Sequence, residues 1–192
     1  MKEGNLLVVV FGAIFLFSVL MLIGQGVKTT GYVTESSTTS NVTISTYFSI
    51  DMSTNLSEGI QFGEVSTLPA TNVNATHNYD GGSSATTYWM NVSDDSNTAV
   101  DFCIKADALN TSTGDEIGLD NETYSNSTST DSANPALGDE VGFTTSYVKS
   151  GDDIAAGSEN YYRFWLDVPA ATATGTYNNT VYFKGVTSTG SC

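Results

Sequence analysis

Between Leu6 and Gly24 the chain runs nineteen residues without a charge or a proline, and everything beyond it is Ser/Thr/Asn-rich and acidic. That junction constrains the molecule more than any other feature. As a helix rising about 1.5 Å per residue, the run would cover roughly 29 Å, close to the hydrocarbon thickness of a bilayer. Apolar all round, it reads as a membrane segment and not as the inner face of a core helix. The remainder must then fold in water on one side of that membrane. Three fates for the run stay open: a retained anchor, a signal segment cut after Gly26 to leave Val27 first, or a pilin-type helix kept after cleavage behind Gly4. Lys2, Glu3 and Lys28 flank it too evenly to orient it.

The expected organisation is a signal peptide or membrane-anchor helix over 1–26, a polar Ser/Thr-rich linker or donor strand over 27–40, and one β-domain over 41–192. The residues beyond 26 suffice for a single hydrophobic core. Their charge is lopsided, with 6 Lys+Arg against 21 Asp+Glu and a formal net charge of -15. Phosphate backbones and anionic headgroups need clustered cations, so nucleic acid is excluded as a partner and lipid can be met only through residues 6–24.

From residue 41 the apolar residues alternate with period two. Val42, Ile44, Phe48, Ile50 and Met52 fall on one face, and Thr43, Ser45, Ser49 and Asp51 on the other, which predicts a half-buried strand. Ile60, Phe62 and Val65 make a shorter apolar piece, followed by a loop with Pro69, His77 and Asp80-Gly81-Gly82. Tyr88, Met90 and Val92 define the next strand. After the turn-forming Asp94–Asn97, Val100, Phe102, Ile104 and Ala106 point inward, opposite Asp101, Cys103 and Lys105. Weaker strands are expected around 117–124 and 141–148, separated by the low-complexity stretch 125–134. Tyr162, Phe164, Leu166 and Val168 make the clearest strand, stopped by Pro169, and Tyr177, Val181 and Phe183 point inward from the last one. Short strands with turn residues between them predict an all-β fold, an immunoglobulin-like or jelly-roll-type antiparallel β-sandwich preceded by one hydrophobic N-terminal helix.

Two cysteines in an exported chain predict one disulfide, Cys103–Cys192. Cys103 stands opposite Phe102 and Ile104, so the tail 185–192 can reach it across the outside of the sheet. Eight Asn-x-Ser/Thr sequons, at Asn41, Asn55, Asn74, Asn91, Asn110, Asn121, Asn126 and Asn178, are candidate glycosylation sites. Strand phase puts Asn41, Asn91 and Asn178 on outward faces.

The ending Tyr161-Tyr162-Arg163-Phe164-Trp165-Leu166-Asp167-Val168-Pro169, then Gly175-Thr176-Tyr177 and Thr180-Val181-Tyr182-Phe183, resembles the last hairpin of bacterial and archaeal surface β-sandwich proteins. The order of signal segment, polar lead-in and strand-rich domain resembles TasA/camelysin-like fibre subunits and archaeal bundling pili. That resemblance implies assembly by strand donation between neighbouring copies; the β-tolerant Thr, Tyr and Val of residues 27–40 suit either a donor strand or a flexible spacer.

Little in the sequence points to catalysis. His77 is the only histidine, no Gly-x-Ser-x-Gly elbow is present, and no glycine-rich phosphate loop opens a helix. One histidine and two distant cysteines do not make a zinc site. Calcium is the one cation for which the loops hold ligands, in Asp94/Asp95 with Asn97, Asp115/Glu116, Asp139/Glu140 and Asp152/Asp153, though none follows an EF-hand pattern. Trp89 and Trp165, with Tyr161 and Tyr182, fall on outward phases, where they either mark a contact surface or lie under a loop or the tail. The expected protein is a non-enzymatic, extracellular or cell-surface structural subunit without a cofactor, membrane-tethered or secreted, in a filament (pilus or fibre) or a surface layer. Its partners are copies of itself or other surface proteins. The alternatives are an adhesin or ligand-binding module, and a pilin that retains its helix.

Overall fold

A computed structural model describes residues 11–16, 18 and 37–192. The boundaries at Gly4 and Gly26, most of the hydrophobic run and nearly all of 27–40 lie outside the described residues. The chain divides into two units, Met1–Thr43 and Ile44–Cys192. In the first, residues 11–16 and 18 are helical. Among the described residues no helix is long and apolar enough to cross a membrane.

The second unit is all-β and antiparallel. One sheet has the order β1 (Ile50–Met52), β3 (Tyr88–Val92), β10 (Glu159–Val168), β7 (Glu122–Ser127), β8 (Val141–Gly142), with β2 (Ala70–Asn74) also on β10. A second sheet has the order β11 (Val181–Thr187), β4 (Val100–Ala106), β9 (Val148–Ile154). A small hairpin, β5 (Leu109–Asn110) with β6 (Glu116–Ile117), is bridged to Asn178. Tyr88, Met90, Val92, Tyr162 and Phe164 of the large sheet share one core with Val100, Phe102, Ile104 and Ile154 of the small one. Tyr162 meets the edge of Phe183 at 5.4 Å between ring centroids, and its hydroxyl lies 3.1 Å from Ser150 Oγ. A smaller cluster of Leu109, Ile117, Leu166 and Val168 closes one end, with Tyr177 against it.

Strand β10 organises the large sheet. Its aromatic and aliphatic residues suit a pleated surface buried on both faces. Residues Glu159–Tyr162 pair with β3 and Trp165–Val168 with β2, so one flank has a gap at Arg163 and Phe164. The wholly buried Asn78 fills it: its Oδ1 accepts from Phe164 N–H at 3.0 Å and its Nδ2 donates to Phe164 C=O at 2.7 Å. A side-chain amide thus serves Phe164 N–H in place of a strand neighbour, while Phe164 C=O also accepts from Ala75 N–H at 3.1 Å.

Three expectations are corrected. The strand expected from residue 41 is reduced to Ile50–Met52, because β3 offers only Met90–Val92 to pair with it. Phe48 and Ile50 do pack on the core, but Val42 is 85% and Ile44 78% exposed, and Met52 is also exposed. Past Met52 a capped turn, with Ser53 Oγ accepting from Leu56 N–H, redirects the chain and sinks Leu56. The loop expected around Pro69 contains β2, whose alternation is masked by Thr and Asn. The low-complexity stretch 125–134 begins as strand, since β7 runs to Ser127 and pairs with β10 along six residues.

Candidate functional site

Residues 37–47 are exposed and belong to no strand or helix. They are held at one end by the Asp94–Asn97 turn. Asn97 Oδ1 accepts from Tyr47 N–H at 2.8 Å, its Nδ2 donates to Ser45 C=O at 2.9 Å, and its N–H donates to Tyr47 C=O at 3.0 Å. Ser49 adds a bond from its N–H to Ser96 Oγ and another from Ser93 N–H to its own C=O. The turn therefore grips the chain just before it becomes β1. Upstream of that grip, Val42 and Ile44 share one phase of the sequence and are both exposed. A period-two apolar face of this kind is what an edge strand of another sheet can cover.

Cys103 and Cys192 are joined by a disulfide, with Cα atoms 5.7 Å apart and a sequence separation of 89. Cys103 is on the outer face of the small sheet yet wholly buried, because the tail lies over it and Lys184 Nζ donates to Cys192 C=O at 2.7 Å. Closing so long a loop restricts the unfolded chain by an amount worth about 4 kcal/mol in the chain-entropy treatment.

The sequons differ in how free their amide nitrogens are, and a glycan needs that nitrogen. Asn55 Nδ2 donates to Thr87 Oγ1, Asn110 Nδ2 to Ala108 C=O, and Asn121 Nδ2 to Gly118 C=O. Asn91 and Asn126 make longer contacts of 3.4 Å to Ser158 C=O and Asn160 Oδ1. Asn74 uses its Oδ1, accepting from Trp165 Nε1 at 2.9 Å. Asn41 and Asn178 are exposed, and Asn178 is bridged by backbone to Asn110, so two sequons stand side by side.

Trp165 is covered: it is almost wholly buried, and its Nε1 donates to Oδ1 of Asn74, its register partner on β2. Its neighbour Arg163, also on the outward phase, is buried too. The guanidinium donates to the carbonyls of Asn78, Pro135, Ser84 and Asp131 and stacks on the Tyr79 ring at 4.1 Å. It pins two long polar loops onto the outside of the large sheet. Five donors in a rigid fork make arginine suited to gathering carbonyls from separate segments. Only a lone cation within an aromatic strand hinted at this.

His77 Nδ1 contacts Asp80 Oδ2, while Asp80 Oδ1 accepts from Thr87 Oγ1 at 2.6 Å. Partial burial alone would raise the Asp80 carboxyl, but the hydrogen bonds from Thr87 and His77 outweigh it and hold the group below the usual carboxylate range. The Thr87 hydroxyl gives its proton to the carboxylate and not to the imidazole, which is not the order that activates a nucleophile. Among the described residues no group of three or more His, Cys, Asp or Glu side chains is placed to hold a metal. Two of the acid pairs are engaged locally: Asp115 Oδ2 accepts from Thr111 and Thr113, and Asp152 binds Lys149. A shallow cleft of about 450 Å³ is lined by Thr128, Asp153, Ser158, Glu159 and Tyr161 among others.

Glu122 is a group the sequence did not single out. It is wholly buried, and its carboxylate accepts from Asn179 Nδ2. Burial pushes its pKa up to about 7, against a smaller lowering by Asn179. Comparison with protein-family models, with curated proteins and with solved structures finds no match.

Proposed function

We propose that this protein is a non-enzymatic, exported structural component of the cell surface, a filament or surface-layer subunit built on an immunoglobulin-like β-sandwich and carried to its place by the hydrophobic run at 6–24. The observation that carries the proposal is the lead-in: Val42 and Ile44 alternate as a strand does, yet are left in water by the domain they precede. An isolated domain gains nothing from that pattern, whereas a copy whose sheet edge accepts the segment covers both side chains and pairs its free N–H and C=O groups. The donor in this reading extends from the proposed 27–40 into 41–47. Acidity, a disulfide and many sequons agree with an extracellular site.

The rival reading is a binding module. The cleft beside Glu159 and Tyr161 favours it, since it places carboxylates and hydroxyls at one opening. Full-length protein and a variant lacking residues 37–47 are compared by electron microscopy and sedimentation. The filament reading expects polymers from the first and folded monomers from the second. Polymers from both would remove the segment as donor, and monomers from both would favour the binding module.

A further inference from the structure

The described residues contain four basic side chains, Lys105, Lys149, Arg163 and Lys184. Arg163 is buried. The other three all stand on the outer face of the small sheet. Cys103 of β4 is paired in register with Lys149 on one side and Lys184 on the other, and Lys105 is paired with Tyr182. Directly paired residues of an antiparallel sheet point to the same face.

Lys149 is already engaged, at 2.6 Å from Asp101 Oδ2 and 2.8 Å from Asp152 Oδ1. Among the described residues, Lys105 and Lys184 have no Asp or Glu side chain within ion-pair distance. They lie instead against aromatic rings. Lys105 Nζ is 5.0 Å from the Tyr147 centroid and 4.6 Å from that of Tyr182, and Lys184 Nζ is 4.6 Å from Tyr147. The rings leave both ammonium groups charged on a chain of formal net charge -15; each lysine is half-buried, and Lys184 Nζ also donates to Cys192 C=O at 2.7 Å. Asp107 also lies at this place, where its carboxylate accepts from the Tyr182 hydroxyl at 3.1 Å.

The outer face of the large sheet has the opposite character. Asp51, Asn91 and Glu159 stand in one cross-strand row over β1, β3 and β10. The next row places Trp89 beside Tyr161, both half-buried. Glu159 and Tyr161 also line the cleft together with Asp153.

We infer that the Lys105/Lys184 surface docks on the Asp51/Glu159 surface of a second copy of this chain. This rests on the subunit reading above and names the contact that would run beside strand donation. The two patches lie on different faces of one domain, so the contact is heterologous: each copy offers its lysines forward and its carboxylates behind. Such a contact propagates into an open chain of subunits and does not close a two-fold dimer. Charge complementarity sets the orientation of approach and disfavours like-to-like stacking of acidic surfaces.

The test uses full-length protein and reads self-association by sedimentation and electron microscopy. K105E/K184E and D51K/E159K each lower the association constant by about tenfold or more, and raising salt from about 0.05 to 0.5 M lowers that of the unaltered chain. Circular dichroism of each variant reports that the fold is kept. K105Q/K184Q, which leaves the stems on the rings, shifts association in the same direction by a smaller factor. The combination of both reversals in one chain recovers assembly, because every contact again pairs opposite signs. Unchanged assembly of the single reversals, or no recovery in the combined variant, overturns this contact while leaving the subunit reading intact. An unaltered chain that stays monomeric overturns both.

Discussion

Residues 41–49 and 159–168 carry the same sequence pattern, apolar side chains at every second position, and come to opposite ends. In β10 both faces are buried: Tyr162 and Phe164 lie in the core, and on the other side Arg163 lies beneath loops and Trp165 donates to Asn74 of β2. In the lead-in, Val42 and Ile44 are in water. The difference is not in the residues but in what surrounds them. β10 has neighbours on both flanks and an asparagine bridging the one gap, whereas the lead-in gains the Asn97 turn, the Ser49 bonds and the packing of Phe48 only at its far end. Alternation states which side chains share a face; only a neighbouring surface makes that face a core.

The contrast can be attacked from both ends. Phe164→Ala removes a wholly buried ring packed on Tyr88, Phe143 and Tyr162. It should lower unfolding free energy by about 4 kcal/mol in a denaturant titration. A loss below about 1 kcal/mol would mean that β10 is not the centre of the core.

A smaller and pH-dependent effect is expected at Glu122, beside β10 on β7. Its pKa is near 7 when folded and 4.5 in its ordinary state, so the unfolded chain releases this proton first as pH rises. The folded state is therefore fully favoured below about pH 4.5 and loses up to about 3 kcal/mol as pH climbs through 7. Glu122→Gln keeps an oxygen for Asn179 and removes the titration. The variant should melt higher than the parent at pH 8 and nearly equal to it at pH 4. Equal melting at both would show that the carboxylate is solvated.

The smallest effect belongs to the lead-in. Ile44→Ser should change the stability of the monomeric domain by less than about 0.5 kcal/mol, since no contact of an exposed side chain is lost. Under the subunit reading it nonetheless weakens polymer formation, measured by sedimentation. A loss of several kcal/mol from the monomer would place Ile44 in its own core and erase the contrast with β10.

Much of the fold was legible because it rests on periodicity. The strands around Tyr88–Val92, Val100–Ala106 and Tyr162–Val168 alternate strongly, and Pro169 marks where the longest ends. β2 was not legible, since its Thr and Asn residues carry no apolar rhythm and its existence depends on the free flank of β10. The outward phases of Arg163 and Trp165 could be read, but not their burial: a loop's route over a sheet is fixed by hydrogen bonds from distant segments, here the carbonyls of Asn78, Ser84, Asp131 and Pro135. The same holds for the lysine face. Sequence places Lys105 and Lys184 on outward positions of separate strands, and only register sets them about one tyrosine ring. Sequence by itself determined the composition of each face and the acidic balance, because those follow from residue type and period. Tertiary structure decided which faces are covered and which charges meet, because both depend on contacts between segments far apart in the chain.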